Sequence, residues 1–206
     1  YVSFIKMIGG FYNEKNIWST YGRDIGMNLK GTKDFLEKTP IKIVGDEDLV
    51  TYCKEGISKE FQIVDKGEEL AIVIARKNNV NLALRLNDYY IEKKVPFLII
   101  LLEPFNSFIG PFVIPYESSC FRCLYEREKE NIFYKNDMYE LFNSEDCVSR
   151  ERIPFFNIKA TLGLIEVALM KYVFRKLRNQ SQFGFVNTVK EFDWMKDTIS
   201  EHKVIK

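Results

Sequence analysis

The sequence predicts an α/β domain built on a doubly wound, mainly parallel sheet, with a small N-terminal extension. Two observations predict it. The apolar runs LAIVIA (70–75) and VPFLIILL (95–102) have strand length and are continuous rather than alternating, as in strands buried on both faces. Stretches with apolar residues at helical spacing separate such runs, which is the pattern of strand–helix–strand units. A third observation sets the scale. The chain has 206 residues, 46% of them hydrophobic, enough for one domain with a substantial core. The domain is placed at 39–206 and the N-terminal segment at 1–38.

The elements follow in order. Residues 1–10 (YVSFIKMIGG) read as a short strand ending at Gly9-Gly10. No apolar helix follows that turn, so it is not read as a phosphate loop. Gly22, Gly26 and Gly31 punctuate the next stretch, and Thr32 can cap a short helix at 32–38. The character changes at Pro40. IKIV (41–44) is a buried strand ended by Gly45, and Asp46, Glu47 and Asp48 suit the start of a helix. Leu49, Val50, Cys53 and Ile57 follow at helical spacing, with Gly56 weakening the end. FQIV (61–64) reads as a second strand closed by Asp65, and 70–75 as a third. Asn78 or Asn81 then caps a helix reaching Lys93, with Leu82, Leu86, Tyr89 and Tyr90 inward. A fourth strand covers 95–102.

Beyond it, 112–114 reads as an edge strand and 120–135 starts helical. Residues 136–152 are polar and read as loop. Pro154 fits the first turn of an apolar helix running to Arg178, buried or used in a subunit contact. Residues 184–192 and 202–205 read as terminal strands.

Charge and cysteine content exclude several classes. Thirty basic against 29 acidic residues leave a net charge of +1, which gives no general attraction to nucleic acid or an anionic membrane. No apolar run approaches the roughly 20 residues of a membrane span. No secretory signal stands at Tyr1, and the chain opens on Tyr rather than Met, as a fragment would. Four cysteines are not a disulfide framework. A Cys-x-x-Cys pair without a signal peptide points to the cytoplasm.

The candidate sites are few. A nucleotide-binding fold would carry a glycine-rich turn after its first strand, so that the backbone can approach phosphates. Here that turn is Gly45-Asp46-Glu47-Asp48-Leu49-Val50, with one glycine and three carboxylates, and it reads as structural. Asp65 stands where such folds place a ribose-binding acid, but beside this loop it reads as an ordinary surface residue. Cys120 and Cys123 have three readings: two ligands of a zinc ion, a redox pair, or plain thiols of the core. Zinc needs about four ligands. Cys147 lies 24 positions beyond Cys123, Cys53 falls in a buried helix, and His202 is the one histidine and reads as a surface residue. No Ser/His/Asp or Cys/His arrangement stands out. Glu166, within the apolar helix, reads as lying on its exposed seam.

From about residue 34 to 206 the chain resembles the ThiF-like (ubiquitin-activating-enzyme-like) partner proteins of thiazole/oxazole-modified peptide biosynthesis, the ocin-ThiF-like cyclodehydratase subunits of bacteriocin clusters. Three stretches carry the resemblance: KDFLEKTPIKIVGDEDLV; Ile109-Gly110-Pro111 through Pro115 to Cys120-x-x-Cys123-Leu124 and Arg127; and the apolar helix at 158–177 with Glu166, leading to His202-Lys-Val-Ile. The resemblance implies a Rossmann-like domain and a structural zinc ion, with Cys120 and Cys123 matching the family's first cysteine pair. In the family a second pair follows the last strand, and this chain stops at Lys206. The resemblance also implies a role. The subunit binds the leader of a ribosomal precursor peptide and presents its core to a YcaO-type cyclodehydratase, as a homodimer or within a hetero-complex. The leader docks by adding a strand to a small winged-helix element, of which residues 1–38 could be a remnant. One departure matters: GDED and the Ala75-Arg76-Lys77-Asn78-Asn79 stretch lack the groups used for adenylation. ATP is therefore not expected on this chain, and the alternative is an ATP-dependent enzyme adenylating a peptide C-terminus.

Overall fold

The computed structural model describes residues 38–57, 61–131, 152–178 and 185–203. The expectations for the N-terminal segment up to residue 37, for the loop up to residue 151 and for Cys147 lie outside the described residues. Six strands form one sheet: β1 (Ile41–Gly45), β2 (Leu70–Arg76), β3 (Phe97–Leu102), β4 (Asn106–Val113), β5 (Thr188–Asp193) and β6 (Thr198–Lys203). Among the described residues four α-helices accompany them: α1 (Glu47–Ile57), α2 (Val80–Glu92), α3 (Phe121–Asn131) and α4 (Phe155–Arg178).

The strands lie side by side in sequence order. β1, β2 and β3 run parallel, while β3–β4, β4–β5 and β5–β6 pair antiparallel. The sheet is thus mixed rather than mainly parallel. The cause is a link length. Residues 103–105 alone join β3 to β4, and a parallel crossover needs a dozen residues or more. The chain must therefore turn back as a hairpin, and β4 is longer than the 112–114 read from its apolar end. The FQIV stretch is not a ladder strand. It makes one parallel bridge, Ile41 to Ile63, in which the Ile41 N–H donates to Gln62 O and the Val64 N–H to Ile41 O. After α1 the chain thus touches the outer side of β1, and then reappears on its other side as β2.

Helices cover both faces. On β2 and β3, alternate residues serve opposite faces, as the strand period requires. Ile72, Ile74, Leu98, Ile100 and Leu102 pack with Leu49, Cys53 and Ile57 of α1 and with Ile158, Ile165 and Leu169 of α4. Ala71, Val73, Ala75, Phe97, Ile99 and Leu101 pack with Val80, Ala83, Leu84 and Tyr90 of α2 and with Phe121 and Leu124 of α3. The inward side of α2 is therefore Val80, Ala83, Leu84, Asn87 and Tyr90; of the residues read as inward, Tyr90 is buried and Leu86 packs at its edge, whereas Tyr89 is exposed. Gly56 has a packing role: a Cβ there would lie 2.5 Å from Leu162 Cδ1, so the glycine lets α1 and α4 approach closely.

A buried polar knot ties three elements at the β3–β4 turn. Asn157 of α4 donates to Glu103 O at 2.8 Å, and its Oδ1 accepts from the hydroxyls of Ser107 and Thr161. The Trp194 indole N–H, from the β5–β6 turn, donates to Ser107 Oγ at 3.0 Å. Each member finds partners inside, so the polar groups are carried without an unmet hydrogen bond.

Candidate functional site

Two clusters stand out, at opposite ends of α2. The first lies at the carboxyl ends of β1 and β2. Gly45 has φ +142°, and a Cβ there would fall 1.7 Å from Ile74 O, so the two backbones meet in a way only glycine allows. The Asp46 N–H donates to Ile74 O at 3.0 Å and fixes the next residue. The Asp46 carboxylate then accepts two hydrogen bonds, from the Arg76 backbone N–H at 2.7 Å and from Asn79 Nδ2 at 2.7 Å. The Arg76 guanidinium grips Asp48 with both arms, at 2.9 and 2.6 Å, and lies 3.4 Å from Asp46 Oδ2. Its side chain is 11% exposed. Arg76 holds the Asp48 carboxyl below the usual carboxylate range, chiefly by this forked hydrogen bond. Next along the same edge, Lys77 pairs with Glu103 at 3.2 Å and lies over the Phe108 ring.

Chemically this is a closed lock. Two carboxylates and one guanidinium fill the turn where a phosphate-binding fold offers bare backbone N–H groups, and the net local charge is negative. Asp46 and Asp48 of the GDED loop are thus both engaged by Arg76. Arg76 and Asn79 were missed as the loop's partners. Their signal was available: a strand ending in Ala75-Arg76-Lys77 beside a loop of three acids is charge-complementary. Asn79 sits at the start of α2 but makes no capping bond; its side chain serves Asp46 instead.

The second cluster is the cysteine pair. β4 runs back along β3, so Val113 stands opposite Phe97 at the amino end of the parallel strands. The turn at 114–120 follows from there. Ser118 Oγ accepts the Ile114 N–H at 2.8 Å, and Tyr116 takes φ +68°. Cys120 then precedes α3 and Cys123 sits in its first turn, with sulfurs 3.4 Å apart and both free. A tetrahedral zinc ion with bonds of about 2.3 Å holds two sulfurs roughly 3.8 Å apart, so the spacing fits two ligands of one ion. Among the described residues no group of three or more His, Cys, Asp or Glu comes together around a metal. Burial pushes the Cys120 thiol up, the reverse of the activated thiolate of a redox pair.

The remaining candidates do not join either cluster. Cys53 is buried in the core, with its thiol pushed up to about 12 by burial. Asp65 is an exposed residue paired with Lys54. His202 lies on β6, exposed, 3.0 Å from Glu191. Glu166 is partly buried in α4. The two clusters are held by residues of one helical segment, Asn79 and Asn87, eight positions or roughly 12 Å apart. No described helix is long and apolar enough to cross a membrane.

The chain matches no protein-family model and no curated protein. Solved structures do share its fold. The heterocyclase TruD superposes with a TM-score of 0.74 at 14% identity, covering 91% of this chain and 28% of that one. A heterocyclase in complex with substrate and cofactor gives 0.75 at 13% identity, covering 99% and 30%. The microcin C7 biosynthetic enzyme MccB, in complex with N-formylated MccA, gives 0.65 at 15% identity, covering 94% and 73%. The chain thus spans less than a third of the length of the heterocyclases and about three quarters of MccB. What it has in common with all three is its α/β fold.

Proposed function

We propose that this chain is a ThiF-like, non-catalytic subunit of a ribosomal-peptide-modifying azoline or azole synthetase. It binds the leader of a precursor peptide and presents the core to a YcaO-type cyclodehydratase, in the cytoplasm, as a homodimer or within a hetero-complex. The observation that carries the reading is the lock of Arg76 on Asp48 and Asp46 at the carboxyl ends of β1 and β2. In open α/β sheets ligands bind outside the carboxyl ends of the strands, where the chain changes its direction across the sheet. β1 is that point in a doubly wound arrangement, with the 61–64 segment on one side and β2 on the other. A nucleotide there would meet an occupied, negatively charged turn. Fold likeness to heterocyclases supports peptide modification as the setting. On this reading Cys120 and Cys123 hold two of the four ligands of a structural zinc ion, which would brace the 114–120 turn against α3.

Fluorescence polarisation with the labelled leader of the precursor peptide tests the proposal. Saturable binding, alone or with the partner cyclodehydratase, is expected; its absence under both conditions overturns it. The rival reading is an ATP-dependent enzyme that adenylates a peptide C-terminus, favoured by the larger share of MccB that the chain covers. It requires peptide- and magnesium-dependent pyrophosphate exchange. A folded sample without exchange removes it.

A further inference from the structure

We infer that Asn87 and Asn187 are positioning residues for the Cys120–Cys123 thiol pair, and that the metal affinity of the pair depends on them. This rests on the zinc reading above. Cys120 is flanked by two backbone N–H groups, each clamped by an asparagine from outside the motif. On its amino side the Ser119 N–H donates to Asn187 Oδ1 at 2.8 Å. On its carboxyl side the Phe121 N–H donates to Asn87 Oδ1 at 3.0 Å. Asn187 belongs to the turn before β5 and Asn87 to α2, so two separate parts of the fold fix the same stretch of backbone.

The sequence explains why an outside clamp is needed. α3 begins at Phe121, which puts Cys120 in the capping position. Caps are normally Ser, Thr, Asp or Asn, whose oxygens accept the free N–H groups of the first turn. The Cys120 sulfur faces the Arg122 and Cys123 N–H groups in this way, which leaves the Phe121 N–H to be met from elsewhere. Asn87 brings an acceptor for that N–H from another helix. It is fully buried, and its amide donates to Asp88 Oδ1 at 3.0 Å. Asp88 in turn pairs with Arg122, one of the two residues between Cys120 and Cys123. α2 therefore holds the first turn of α3 by its backbone and by a side chain. On the other flank, Asn187 has φ +56°, a conformation asparagine tolerates and glycine accepts freely. Removing its side chain therefore need not disturb its backbone.

The partners that orient metal ligands typically affect metal affinity by about 10–100-fold. Zinc affinity of the full-length gene product, read by competition with a chromophoric chelator, tests the inference, and Co2+ absorption bands report ligand geometry. Asn187→Gly and Asn87→Ala should each weaken zinc by about 10–100-fold. Asn187→Asp keeps the acceptor oxygen and should stay near the parent. Cys120→Ser sets the baseline, and thermal melting of the zinc-free proteins checks the fold. Folded Asn187→Gly and Asn87→Ala proteins that hold zinc as tightly as the parent overturn the inference. If Asn87→Ala does not fold, Asn187→Gly decides alone. A parent that takes up no zinc removes this inference together with the zinc reading, whereas an unaffected affinity removes the inference only.

Discussion

Arg76 reaches Asp48 with both arms of its guanidinium, at 2.9 and 2.6 Å, although 28 residues separate them in the chain. The contact joins the end of β2 to the start of α1, and it leaves Asp46, 13% exposed, beneath the same guanidinium. Arg76→Met should therefore destabilise the domain by about 2 kcal/mol, because Asp46 keeps its burial and loses part of its compensation. Arg76→Lys should recover little, since an ammonium cannot fork onto Asp48. Urea unfolding at neutral pH measures both. An unchanged midpoint for Arg76→Met would show that the lock is ornamental.

Acid should unlatch the same contact. The folded-state carboxyl of Asp48 is held below its ordinary value by Arg76, and that of Asp88 by Arg122. A lowered carboxylate contributes stability above its unfolded value, about 3.9, and loses it as pH falls through the folded one. Asp48→Asn should thus be less stable than the parent at pH 7, and the two should converge below about pH 4. Asp48 is half exposed, so the gap is small and is best followed by thermal melting at low salt. A gap that widens on acidification contradicts the assignment.

The knot around Asn157 should be costly to cut. Asn157→Leu removes the acceptor shared by Ser107 and Thr161 and the donor to Glu103 O. The expected loss is about 3 kcal/mol, since buried hydroxyls and a carbonyl are stranded together. Urea unfolding checks it. Ser107→Ala in the Asn157→Leu background should cost less than in the parent, because the two belong to one network.

Thiol labelling should follow burial. In a Cys147→Ser background, iodoacetamide at pH 8 should modify Cys123 first and Cys120 more slowly, with Cys53 reacting only on unfolding. Cys123 is exposed and Cys120 half-buried, whereas Cys53 is buried, which pushes its thiol up to about 12. Mass spectrometry of timed digests gives the order. Early labelling of Cys53 would mean that α1 leaves the sheet readily.

The sequence was most legible where one physical cause dominates. β2 and β3 are buried on both faces, and their uninterrupted apolar runs say so directly. β4 was legible only at its end, because Asn106, Ser107 and Gly110 break the apolar run. Its strand character comes from pairing with β3 and β5, which no local pattern encodes. FQIV misled for the opposite reason: its apolar content serves packing and a single bridge, not a ladder. The inward face of α2 was legible at Tyr90 but not at Asn87, a polar residue that gives no apolar signal. Its burial makes sense only once α3 is seen to need an acceptor. The cysteine pair was legible as a motif; the asparagines flanking it lie 33 and 64 positions from Cys120 and Cys123, and only folding brings them there.

The sequential order of the strands has a consequence for how the sheet is made. Each strand from β2 to β6 lies beside the one synthesised before it, so every pairing except β4–β5 closes a modest loop. The longest wait is for β5, which must follow the whole of α4. A growing chain can therefore extend its sheet from the β1 side outward as it emerges, with α1 and α2 covering the faces of the first three strands before the antiparallel half exists.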